Sequence, residues 1–220
     1  MAVYFTDRQE AGKALAKELL HYRHAPQAIV LGLPRGGVPV AFEVARVLRL
    51  PLDMMLVRKL GLPGQEELAM GAIANGDVKV LSNIIHELGV SPREVESVLI
   101  AERKELERRT REYRQGHLPP SLEGKTVILV DDGLATGANM HAAVLAARKK
   151  KAARIIAAAP VASRNAAALL DEVADEVAFV DIPRHFGGVG QFYKDFSATT
   201  DDEVKNFLNP FYQEIPKEHS

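Results

Sequence analysis

An α/β fold built on a doubly wound, mainly parallel sheet is predicted by three observations. Short aliphatic runs at 28–33, 52–57, 127–130, 154–159 and 177–180 read as buried strands. Segments of helical periodicity separate them, the pattern of a sheet covered on both faces. The first two runs flank a helical stretch, forming a βαβ unit that needs a right-handed crossover and favours a parallel sheet.

Taken in order, residues 7–21 carry Ala11, Leu15 and Leu19 at helical spacing and read as a first amphipathic helix. The strand over 28–33 is stopped by Pro34-Arg35-Gly36-Gly37, and a helix follows over 38–48. The strand over 52–57 ends in Arg58-Lys59, beyond which a polar, glycine-bearing loop is expected as far as 70. Residues 69–74 and 78–81 flank Asn75-Gly76-Asp77, a hairpin signal. Ser91-Pro92-Arg93-Glu94 combines a capping box with proline at the first helical position and opens a long charged helix to about 115. Its apolar stripe is narrow (Val95, Val98, Leu99, Leu106, Tyr113), and arginines, Arg114 among them, crowd its other faces. Residues 116–124 link this helix to the strand over 127–130. A helix over 137–151, a strand over 154–159, a helix near 164–170 and a strand over 177–180 complete the alternation. Thr200-Asp201-Asp202-Glu203 caps a closing helix.

Composition narrows the functional classes. At 220 residues and 47% hydrophobic, the chain can bury a full core. A net charge of −1 makes no electrostatic case for general nucleic-acid binding. The absence of cysteine removes disulfides, thiolate nucleophiles and Cys-based zinc sites, and the histidines lack metal-ligand spacing. No apolar run approaches the ~18 residues that span a bilayer. The start of the chain lacks the layout of a secretory signal, so a cytoplasmic protein is expected.

The chemistry concentrates in Val127-Ile128-Leu129-Val130-Asp131-Asp132-Gly133-Leu134-Ala135-Thr136-Gly137-Ala138-Asn139. A buried strand ends in two adjacent carboxylates, and a small-residue loop leads into an alanine-rich helix. Free N–H groups and the positive end of the helix dipole make that helix start a phosphate site. The acids beside it suit sugar hydroxyls or a metal. A βα turn whose acids merely cap the helix is the plainer alternative.

This run resembles the phosphoribosyl pyrophosphate (PRPP) signature of the type I phosphoribosyltransferases, and the likeness covers about residues 27–180. The resemblance implies that Asp131 and Asp132 hold the ribose hydroxyls, with Gly133 and Leu134 between them and the phosphate loop formed by Ala135, Thr136, Gly137, Ala138 and Asn139. It implies that the turn of Pro34, Arg35, Gly36 and Gly37 meets the departing pyrophosphate, often through an unusual peptide geometry. Arg58 and Lys59 then neutralise the same anion, with a mobile loop beyond them. Arg35, Lys59 and Asp132 are the catalytic candidates. Mg²⁺ is the implied cofactor, carried mostly by PRPP and water, with Asp131 and Asp132 contacting it only indirectly. A C-terminal hood is implied for an acceptor base, with His185, Phe186 and Tyr193 as the residues to recognise it; anchoring of the tail is the simpler use of its aromatics. One domain over 1–220 follows, with an inserted hairpin and long helix at about 69–115 and a hood at about 181–220. A homodimer is common in such families. The expected activity is transfer of a 5-phosphoribosyl group from PRPP to a nitrogenous-base acceptor with release of pyrophosphate. The alternatives are a regulatory protein that senses PRPP or nucleotide without turnover, and a scaffold subunit recruiting partners through the long helix.

Overall fold

The computed structural model describes residues 4–74, 78–81, 85 and 88–212. A five-stranded parallel sheet forms its centre, in the order β2-β1-β6-β7-β8. Its strands are β1 (Ala28–Gly32), β2 (Leu52–Met54), β6 (Thr126–Val130), β7 (Arg154–Val161) and β8 (Glu176–Asp181). Alternate residues serve opposite faces. Val30, Ile128, Val130, Ile156 and Ala158 pack toward helices α1 (Arg8–Glu18), α2 (Gly37–Leu48) and α6 (Asp201–Tyr212). Ile29, Leu31, Val127, Leu129 and Ile155 pack toward α4 (Ala138–Lys149) and α5 (Arg164–Asp171). Both faces are covered, as the uninterrupted apolar character of these strands requires.

Two expectations are corrected here. The strand over 52–57 ends at Met54, and the chain starts a separate antiparallel sheet of β3 (Val57–Leu62), β4 (Gln65–Ala74) and β5 (Val78–Leu81). Arg58 and Lys59 thus lie within β3, opposite Ile73 and Ala72, and the expected loop is mostly a hairpin turning at Pro63-Gly64. Gly64 has φ +77°, and proline followed by a left-handed glycine is the signature of a type II turn. The β4–β5 pairing agrees with the second hairpin signal, whose turn residues Asn75-Gly76-Asp77 lie outside the described residues.

The small sheet packs against the long helix α3 (Pro92–Arg114) and against α4. The Ser91 capping box forms as expected. Along α3, Glu105 pairs with Arg108 and Arg109, and Arg108 also reaches Glu112. Arg114 departs from the solvated reading: it is 3% exposed and bonded to Asp53 Oδ2 at 3.0 Å, while the Tyr212 hydroxyl donates to Asp53 Oδ1 at 2.8 Å. This buried knot ties α3, β2 and α6 together.

Candidate active site at the switch point of the sheet

The chain runs from β1 outward to β2, then returns to place β6 on the other side of β1. The crevice at the carboxyl ends of such a strand pair is where open α/β sheets bind ligands. Here it receives the turn after β1 and the acid pair after β6. The two loops touch. Leu33 N–H donates to Val130 O at 2.8 Å, and Gly37 N–H closes the turn on Leu33 O at 3.0 Å. The Pro34–Arg35 peptide bond is cis. A Cβ on Gly36 would stand 2.0 Å from Asp132 Oδ2, and one on Gly37 would stand 2.6 Å from Val130 O. Neither glycine leaves room for a side chain, so both are required for the loops to meet.

Each acid uses one oxygen within the protein. Asp131 Oδ1 accepts the Asp132 N–H at 2.9 Å. Asp132 Oδ2 accepts from Arg8 Nε at 2.8 Å, with both side chains largely buried. Among the described residues, Asp131 Oδ2 and Asp132 Oδ1 accept no hydrogen bond. Burial pushes the Asp131 carboxyl well above the usual carboxylate range, and the neighbouring Asp132 charge pushes the same way. Burial also raises Asp132, against the opposing hydrogen bond and charge of Arg8.

The loop beyond the acids is built from the backbone. Leu134 is buried, and its N–H and C=O bond Val161 O and Ser163 N at 2.9 Å. The Ser163 hydroxyl donates to Ala135 O at 2.6 Å while accepting from Ala166 N, so one side chain caps α5 and fixes the loop. Thr136 Oγ1 accepts the Ala138 N–H at 3.4 Å, and Gly137 takes φ +75° as the N-cap of α4. Ala135, Thr136 and Asn139 are exposed, and the first-turn N–H groups of α4 have no intrahelical acceptor. Gly133 backs onto the tail, where a Cβ would meet Val189 Cγ1 at 2.4 Å.

Of the cationic candidates, Arg35 and Arg58 are paired with acids of other elements, and the Lys59 side chain lies outside the described residues. Arg35 is half exposed and stands 3.8 Å from Asp201 Oδ1, which also accepts the Tyr113 hydroxyl. Arg58 is ion-paired with Glu102 of α3 at 2.6 Å. Arg58 shares a cleft of about 610 Å³ with Pro34 and Asn139, walled by Ser97, Glu102 and Arg109 of α3. The acids and the first glycine loop therefore form one cluster, and the Arg58 strand shares a cleft with Pro34 of that loop and Asn139 of the α4 start.

The tail meets the acids from the other side. The Tyr193 hydroxyl donates to Asp132 O at 2.5 Å, and its ring packs on those of Phe5 and Phe196. In this structure Tyr193 is a support of the acid pair rather than an open stacking face. Phe186 packs on Phe192 with ring centres 5.4 Å apart. His185 lines a second cavity of about 580 Å³ with Tyr4, Asp181, Arg184 and Gln191, and no acid-pair residue is among its walls.

For Mg²⁺, no three acidic or histidine side chains are grouped to hold an ion among the described residues. The two acid oxygens without protein partners suit an ion that arrives on a substrate's phosphates and keeps most of its waters.

Arg8, Ser163 and the supporting role of Tyr193 were not legible in the sequence. Arg8 follows the α1 N-cap Asp7, where an arginine normally points to solvent. The one local hint is a cation in a helix's first turn, where the dipole disfavours it.

The chain belongs to the phosphoribosyl transferase domain family, whose model matches residues 6–196. That span takes in Arg8 and the tail through Phe196, beyond the 27–180 legible from the motifs. A Mycobacterium tuberculosis H37Rv protein, whose own name gives phosphoribosyl transferase as an unproven activity, is 41% identical over 212 residues. The match takes in 96% of this chain and 48% of that protein, so the chain spans about half the length of the curated relatives it matches. The crystal structure of a Thermus thermophilus protein, TT1426, is similar at a TM-score of 0.86 and 40% identity, over 95% of this chain and 99% of that one. A protein of Aquifex aeolicus shares the fold at a TM-score of 0.50 and 12% identity, covering 91% of this chain and 83% of its own.

Proposed function

We propose that the protein transfers the 5-phosphoribosyl group of PRPP to a nitrogenous-base acceptor and releases pyrophosphate. One observation carries this reading. Two adjacent carboxylates, each with one oxygen that accepts no hydrogen bond among the described residues, stand at the switch point of the sheet beside a glycine turn and the open start of α4. A cis-diol and a phosphate a few ångströms apart match that arrangement.

In this reading Asp131 Oδ2 and Asp132 Oδ1 accept the ribose hydroxyls, and the backbone of residues 135–139 wraps the 5-phosphate. As pyrophosphate leaves, positive charge develops on the ribose ring carbon and oxygen. Arg35, in the turn that reaches the acids, and Lys59, on β3, stabilise the departing anion, and Arg58 adds to the positive potential across the cleft. The protein's part is positioning and electrostatics, with little covalent work. Asp131 and Asp132 would contact Mg²⁺ only indirectly, through waters of an ion carried on PRPP, and that ion would supply charge neutralisation of the pyrophosphate. The acceptor enters from the hood side, where His185 and Phe186 lie, while Tyr193 holds the backbone of Asp132.

Titration calorimetry with Mg²⁺ and PRPP, followed by pyrophosphate release across purine, pyrimidine and pyridine bases, tests the proposal. Asp132→Asn is expected to weaken binding or turnover with little change in melting. Wild-type heat with no release for any base assigns sensing without turnover. No heat from PRPP or any ribose monophosphate defeats the reading.

A further inference from the structure

We propose that Arg8 is a positioning residue of the sugar site: it holds one oxygen of Asp132 so that the other alone faces a ribose hydroxyl, and it binds that carboxylate to the C-terminal tail. The inference rests on the phosphoribosyl reading above and assigns a role to a residue from the opposite end of the chain.

Four contacts fix the guanidinium. Its Nε donates to Asp132 Oδ2 at 2.8 Å, and Nη1 donates to Ser197 O at 2.7 Å. Its carbon lies 4.1 Å above the centre of the Phe196 ring and 6.0 Å from that of Tyr193. The Arg8 side chain is 11% exposed, unlike a solvated arginine at a helix start. Space for the pair comes from Gly36, since a Cβ there would stand 2.0 Å from Asp132 Oδ2 and 3.2 Å from Arg8 Nε.

The division of labour follows from counting oxygens. A pair of carboxylates offers four, and a cis-diol needs two acceptors in fixed places. The Asp132 N–H occupies one oxygen of Asp131, and Arg8 occupies one of Asp132. One acceptor per acid remains, and the orientation of each is set before a ligand arrives. Arg8 also offsets one of two adjacent negative charges that a polyanionic sugar phosphate would otherwise meet at close range.

The surrounding charges define a pH signature. Asp131 and the Tyr193 hydroxyl face Asp132 along with Arg8, and Asp195 and Glu203 lie in the field of Arg8 from the tail and α6. Burial raises the Asp132 carboxyl and Arg8 opposes the rise. Without the guanidinium, Asp132 ionises only at higher pH. The acid limb of sugar-phosphate binding then moves upward, which a purely structural role would not produce.

The experiment compares wild type, Arg8→Gln, Arg8→Lys and Phe196→Leu as full chains, with Mg·PRPP titrated from pH 5 to pH 9 and melting followed in parallel. Losing a charge-assisted hydrogen bond to an oriented acceptor predicts that Arg8→Gln weakens binding about 10- to 100-fold near neutrality. Its acid limb moves to higher pH, and Arg8→Lys restores part of both. Phe196→Leu, which removes the ring beneath the guanidinium along with its contact on Tyr193, shifts both in the same direction by less and serves if Arg8→Gln does not fold. Wild-type affinity and an unmoved acid limb in Arg8→Gln, or in Phe196→Leu where the first does not fold, overturn the assignment of Arg8 while Asp132→Asn still loses binding. Wild-type protein that binds no Mg·PRPP instead defeats the phosphoribosyl reading itself.

Discussion

Adding a single methyl at Gly36 probes the meeting of the two loops most directly. The Gly36 backbone has φ −62° and ψ −28°, a right-handed conformation that alanine adopts without strain. At such a position Gly→Ala by itself stabilises by about 0.4–1 kcal/mol through the unfolded chain. The structure predicts the opposite sign. The new Cβ would lie 2.0 Å from Asp132 Oδ2 and 2.7 Å from Asp132 Cγ, so recovering an ordinary 3.4 Å contact requires the carboxylate to retreat by about 1.4 Å. That displacement breaks the 2.8 Å bond to Arg8. Overpacking costs about 1–3 kcal/mol, and the lost charge-assisted bond about 1.5–3 kcal/mol. A net loss of about 3 kcal/mol corresponds to roughly 6–12 °C in Tm for a chain of this size. Urea unfolding at neutral pH gives the stability change, and calorimetry with Mg·PRPP gives the binding change; both are expected to fall. A Gly36→Ala protein at least as stable as wild type, with intact Mg·PRPP affinity, would refute the packing of the glycine turn against the acid.

Asp131→Asn separates stability from function. Because the folded protein raises this carboxyl by burial and by the Asp132 charge, its ionisation penalises folding as pH rises above the unfolded value, and the penalty is absent below it. The variant should therefore match wild type near pH 3–4 and melt higher at pH 7, by about 1.4 kcal/mol for each tenfold loss of acidity relieved. PRPP binding should be lost at both; equal Tm values at pH 7 would contradict the assigned burial. Asp53→Ala should destabilise by about 3–5 kcal/mol, since it strands the buried Arg114 guanidinium. Asp53→Leu combined with Arg114→Met should recover most of that loss in urea unfolding, and failure to do so would mean the pair is valued for more than its charge. Ser163→Ala removes the α5 cap and the anchor on Ala135 O. A stability loss of about 1 kcal/mol is expected, together with weaker binding of ribose 5-phosphate measured by calorimetry.

The parts of the molecule legible in the sequence are those fixed by local chemistry. The central strands announced themselves because both of their faces are buried, and Ser91-Pro92-Arg93-Glu94 started α3 as its capping chemistry requires. The acid pair and the glycine turn were visible because each sits where a strand stops. The β3–β4 hairpin was misread because its strands carry glycines and charges, which obscured Pro63-Gly64 as a turn between strands. Arg8 and Arg114 were illegible for another reason. Their partners stand 124 and 61 residues away, so only the folded topology reveals that these arginines leave the solvent.

The same distinction explains why the tail matters to the site. In a chain with 6% aromatic residues, Phe186, Phe192, Tyr193 and Phe196 fall within eleven positions, and three of them do fastening work. Phe192 is buried with Phe5 and Val161, Phe196 supports Arg8, and Tyr193 bonds the Asp132 carbonyl. Two routes thus run from the tail to one carboxylate, through the Tyr193 hydroxyl to its backbone and through Ser197 and Arg8 to its side chain. A tail held only by apolar packing could shift without disturbing Asp132, whereas this one moves the acid when it moves. The tail and the acid pair are therefore linked through hydrogen bonds at both the backbone and the side chain of Asp132. In the phosphoribosyl reading proposed above, these two routes predict that displacing the tail changes the placement of the Asp132 carboxylate as well as its backbone.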